Sequence, residues 1–118
     1  MTSVRRPAVA GTFYPDDPRE LTHQLTRFLS NVEAGGAAPK ALIAPHAGYV
    51  YSGEVAAGAY ARLAAAKDRI RRVVLIGPSH RVPFQGIAQS TAGYFETPLG
   101  RVQVDQAAAA RIEGLPNV

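Results

Sequence analysis

Ala41-Leu42-Ile43-Ala44-Pro45-His46 and Val73-Val74-Leu75-Ile76-Gly77-Pro78-Ser79-His80 decide the reading of this 118-residue chain. Each opens with a short apolar run and closes on Pro or Gly followed by histidine. Runs of four apolar residues without alternation suit strands buried on both faces better than helices too short to stand alone. Between them, Glu54 to Ala66 carries Val55, Ala59, Tyr60 and Leu63 at helical spacing, with Ser52 placed as its cap. Strand, helix, strand over residues 41–76 predicts a βαβ unit, parallel and right-handed.

Working outward, Asp17-Pro18-Arg19-Glu20 reads as a capping-box start with Pro in the first turn. Leu21, Leu25, Phe28, Leu29 and Val32 follow at i, i+4, i+7, i+8 and i+11, which predicts an amphipathic helix stopped by Gly35-Gly36. From Gly86 to Val104 the pattern predicts short strands around a Thr97-Pro98-Leu99-Gly100 turn. Asp105 then caps a final helix reaching Glu113, before Gly114 and Pro116. The fold class expected is α/β: a βαβ-containing sheet with flanking helices in one domain, residues 1–118. The chain closes where a further strand is expected, so the sheet is expected to be incomplete.

Composition narrows the function. Hydrophobic residues make up 47% and charged residues 19%, which fits a folded globular chain and not a disordered one. With no cysteine there is no disulfide, thiolate metal site or cysteine nucleophile, so any metal must be held by His, Asp or Glu. No apolar run approaches the ~20 residues of a membrane span, and the N-terminus has no signal-like apolar stretch, so the expected address is cytoplasmic. The net charge of +4 is spread over scattered arginines. Only Arg69, Arg71 and Arg72 cluster, without the interleaved aromatics of a nucleic-acid surface. No phosphate-binding glycine loop occurs, so no nucleotide is expected.

His46 and His80 stand just beyond the carboxyl ends of the two expected strands, where open α/β sheets place their ligand crevice. Parallel neighbours lie ~4.8 Å apart, so side chains from two such loops can converge on one ion. Neutral imidazole is the commonest metal ligand, and two of them with a carboxylate form the facial set of non-haem iron oxygenases. The third ligand stays open among Asp105, Glu54, Glu96 and donors outside this sequence. The competing reading makes both histidines turn residues hydrogen-bonded to backbone. His23, mid-helix, is read as a surface residue. Tyr49 is a candidate for positioning a ligand or for packing over the turn. Ser79 beside His80 does not make a nucleophile and base, because adjacent residues seldom face each other.

Arg6-Pro7-Ala8-Val9-Ala10-Gly11-Thr12-Phe13-Tyr14-Pro15, Pro45-His46-Ala47-Gly48-Tyr49-Val50-Tyr51-Ser52-Gly53, Gly77-Pro78-Ser79-His80 and Thr97-Pro98-Leu99-Gly100 with Asp105 together resemble the Memo family, also called AmmeMemoRadiSam system protein B. The resemblance covers the chain from Arg5 to Asp105. It implies a fold similar to the class III extradiol, non-haem iron dioxygenases and identifies this chain as the N-terminal part of a Memo-like domain. It also implies that His46 and His80 bind iron or copper, with Tyr49, Ser79 and Asp105 as pocket-lining candidates. Family members are more than twice as long, and their later half carries an EHS-type motif and a cysteine that complete the pocket. Neither occurs in this sequence, so little or no turnover is expected from these residues alone. Whether the chain is an enzyme at all stays open. The alternative the resemblance implies is a non-catalytic module that holds a peptide or a partner protein in a vestigial pocket. Radical-SAM and AMMECR-type proteins are the partners suggested by the family name.

Overall fold

A computed structural model describes residues 2–33 and 35–118, a mixed α/β arrangement with a small three-stranded sheet and three α-helices. The chain forms two compact units: residues 8–73, and the N-terminal residues up to Pro7 together with 74–118.

The 8–73 unit is helical. Helix α1, Pro18–Ser30, begins as its sequence demands: the Asp17 carboxylate accepts from the Arg19 and Glu20 amides at 2.9 Å, and Pro18 fills the first turn. Leu21 and Phe28 are its buried residues. The helix ends before the glycine pair, at an Asn31 C-cap whose N–H donates to the Leu29 carbonyl, so Val32 lies beyond it. Asn competes for backbone groups in non-helical conformations, which makes it an earlier stop than the glycines.

Helix α2, Tyr49–Tyr60, corrects the expected start at Glu54. Gly48 is the N-cap, and the Tyr49 amide, one of the orphan donors of a first turn, donates to the Phe13 carbonyl at 2.7 Å. Ser52 is therefore inside the helix, where its hydroxyl donates to the Ala47 carbonyl at 3.2 Å instead of capping. The buried face is also different. Gly53, Ala57 and Ala61 are buried at i, i+4 and i+8, whereas Val55 and Tyr60 from the expected face are exposed. Small residues win this face because α1 presents Phe28 to it: a Cβ built on Gly53 would lie 2.5 Å from Phe28 Cε2. After Tyr60 the backbone tightens into a 3₁₀ segment, Ala61–Ala66.

The second unit holds the sheet, in the order β1-β2-β3. Strand β1, Val4–Arg5, runs parallel to β2, Tyr94–Thr97, and β2 pairs antiparallel with β3, Gly100–Gln103. The expected hairpin is present. Thr97 Oγ1 donates to the Gly100 carbonyl at 3.2 Å and accepts from the Leu99 amide at 3.1 Å, while Gly100 takes φ 132°, a conformation open to glycine. Glu96 lies opposite Arg101 in register, and their side chains pair at 2.9 Å. Helix α3, Gln106–Glu113, starts at Asp105, whose carboxylate accepts from the Ala108 amide at 3.0 Å, and ends at Gly114. Gln106 Nε2 and Gln89 Nε2 donate to the carbonyls of Ala92 and Ala109, tying α3 to the segment before the hairpin.

The two strands expected at 41–44 and 73–76 do not form; among the described residues both stretches run without a ladder. Val73, Val74, Leu75 and Ile76 are 75–79% exposed, and Ile43 is fully exposed. A strand apolar on both faces is stable only between neighbours that pair its backbone and cover its side chains. The described residues supply neither. Among them, no helix is long and apolar enough to cross a membrane.

Candidate functional site

Within the 8–73 unit, α1 and α2 with the loops before α2 line a half-open cavity of about 470 Å³. His46 and Ala47 line it from the loop, Phe28 from α1, and Tyr49, Gly53 and Ala57 from α2. Its position follows from local sequence. Pro45 and Gly48 bracket His46 and bring the chain to the start of α2, and the Tyr49–Phe13 backbone bond fixes the segment around Tyr14 alongside. Tyr49 sits between two other rings, with centroids 5.6 Å from Tyr14 and 6.1 Å from Phe28, the latter edge-on. On Phe28, the Arg27 guanidinium stacks 5.5 Å from the ring centroid.

Burial first, then the neighbouring Tyr14 and Tyr60 hydroxyls, raises the Tyr49 pKa above its ordinary value of 10.0. Folding therefore holds the Tyr49 proton more tightly than the unfolded chain does. This contribution to stability is intact below pH 10.0 and is lost as pH rises through the folded-state value. Denaturant titrations at stepped pH above 10 are expected to show a steeper loss of stability in the native protein than in Tyr49→Phe. Equal slopes would contradict the assignment.

Of the residues singled out in the sequence, His46 and Tyr49 meet at this cavity. His80 and Ser79 lie on the exposed segment that follows Ile76 in the other unit. The Ser79 hydroxyl donates to the Val82 carbonyl at 2.6 Å and receives the Val82 amide at 3.4 Å, a local turn. Asp105 caps α3, and Glu96 is paired with Arg101. The wall residues Phe13, Tyr14, Phe28 and Tyr60 were not singled out for a site. The signal that could have found them is the Gly53-Ala57-Ala61 spacing, which marks where a large side chain from another helix must fit.

Imidazole donors suit an iron or copper ion. The non-haem iron set takes two imidazoles and a carboxylate, and among the described residues no three His, Cys, Asp or Glu gather to hold an ion. The donor chemistry is right and the donor count falls short, so no chemical step through a metal follows from these residues.

A sequence-family description of Memo-like proteins matches residues 5–118. The chain is 42% identical over 118 residues to a MEMO1 family protein of Pyrococcus furiosus, covering 98% of this chain and 39% of that protein. It is 40% identical over 102 residues to a MEMO1 family protein of Aquifex aeolicus, covering 86% of this chain and 37% of the relative. It is 41% identical over 102 residues to the memo-1 homolog of Caenorhabditis elegans, covering 86% and 29%. The chain thus spans between 29% and 39% of the lengths of these relatives. A match over nearly every residue, from Arg5 through the hairpin and α3, places the chain in the Memo family.

Proposed function

We propose that this chain contributes two imidazole ligands, His46 and His80, to a transition-metal pocket of the kind found in non-haem iron dioxygenases, with iron or copper as the ion. The observation that carries the reading is His46 on the wall of a cavity beside Tyr49. The Gly77-Pro78-Ser79-His80 motif, which lies within the residues the family description covers, is proposed to supply the second imidazole. Two imidazoles hold an ion loosely, so these residues alone bind metal weakly and turn over little or no substrate. The substrate and the remaining ligands belong to whatever completes the pocket. Calorimetric titration with Fe(II) and Cu(II) tests the proposal: His46→Ala and His80→Ala should each weaken binding roughly tenfold or more. Binding unchanged in both variants would remove it.

A second reading, a binding module without turnover, is favoured by the apolar surface left on α2. Val50, Tyr51 and Val55 are all exposed there, and such surfaces mark contacts with other proteins. Radical-SAM and AMMECR-type proteins are the partners to test. Equal recovery of such a partner by the native chain and by His46→Ala would favour this reading over metal chemistry.

A further inference from the structure

We infer that the cavity between α1 and α2 is a binding site for a small, uncharged, planar aromatic molecule. The inference shares His46 with the metal proposal and needs no metal. A volume of about 470 Å³ falls within the range of small-molecule pockets. Five of the lining residues are aromatic, and Tyr14, Tyr49 and Phe28 form a continuous run of rings. Ala56 and Ala57 lie on the same lining and add little side-chain bulk to it. A planar ring entering this space gains edge-to-face and offset-stacked contacts with the wall, beyond what an aliphatic ligand of equal area obtains.

Charge argues for a neutral ligand. Among the described residues no Asp, Glu, Lys or Arg lines the cavity, so an anion or cation entering it would leave water without a fixed counter-charge. Arg27 stacks on Phe28 but is not among the lining residues. The polar groups that remain suit one hydrogen bond to a ring N–H or hydroxyl. The Ser52 hydroxyl already donates to the Ala47 carbonyl, and Tyr14, Tyr49 and Tyr60 bring their hydroxyl-bearing side chains to the same lining. Burial raises the Tyr49 pKa above its ordinary value, so its hydroxyl is a neutral partner near neutral pH.

The test uses the full 118-residue chain in the presence of a chelator, with indole, phenyl phosphate and cyclohexanol as probes in ligand-observed and protein-observed NMR. Indole is expected to bind with intermolecular NOEs to the Phe28 and Tyr49 rings. Phenyl phosphate and cyclohexanol are expected to bind at least tenfold more weakly. Ala56→Leu, which adds bulk to the lining, is expected to weaken indole at least tenfold while the amide spectrum stays dispersed. The NOEs on the native chain stand whether or not that variant folds. Phenyl phosphate binding as tightly as indole, NOEs absent from both rings, or no indole binding at millimolar concentration would each overturn the inference. Because a chelator is present throughout, loss of metal binding leaves this result unchanged, and its failure leaves the metal proposal standing.

Discussion

Phe28→Ala is expected to unfold the helical unit, residues 8–73, under conditions where the native chain is folded. Phe28 is 5% exposed and is one of only six buried hydrophobic residues among those described; the other five are a leucine and four alanines. Its ring fills the space above Gly53 and meets Tyr49 edge-on. Truncating a buried Phe to Ala costs about 3–5 kcal/mol, from lost transfer energy and the cavity left behind. Whole domains are stable by about 5–15 kcal/mol, and one resting on so few buried side chains sits low in that range. Urea denaturation followed by far-ultraviolet circular dichroism should show the midpoint falling toward zero denaturant. A midpoint within experimental error of the native chain would mean that α1 and α2 are held by something other than this contact.

Gly53→Ala is expected to destabilise the native chain and to be neutral or stabilising in the Phe28→Ala background. The sign change follows from two opposing effects at one position. Alanine favours a helix over glycine by about 1 kcal/mol. Against that, the new methyl would stand 2.5 Å from Phe28 Cε2, and overpacking of this kind costs about 1–3 kcal/mol. With the ring removed, only the helical gain remains. A double-mutant cycle on these two positions isolates the contact, and a coupling energy near zero would show that the two side chains do not meet. Where Phe28→Ala alone is too unstable to measure, Phe28→Leu provides a milder second corner.

The parts of the fold that local chemistry controls were legible in the sequence. Asp17-Pro18 starts α1, Thr97 to Gly100 turns the hairpin and Asp105 caps α3, each through hydrogen bonds spanning two or three residues. The misreadings share one cause. Val73–Ile76 and Ala41–Ala44 have strand composition, but a ladder and cover are long-range properties, and the described residues provide no partner for either. The start of α2 was missed because its first donor is satisfied by the Phe13 carbonyl, 36 residues away along the chain, in place of a nearby side chain. Its buried face was not legible because large apolar residues ordinarily mark a core, whereas contact with Phe28 requires small ones. At the site, His46 and Tyr49 were legible from the motif around them. The aromatic wall was not, since Tyr14 and Phe28 reach it from separate segments.

Nitrogen counting by electron paramagnetic resonance on the Cu(II)-loaded chain tests the metal proposal most directly. The account predicts superhyperfine coupling to two imidazole nitrogens, reduced to one in His46→Ala and to one in His80→Ala. A single nitrogen in the native spectrum, or two that persist in either variant, would contradict it.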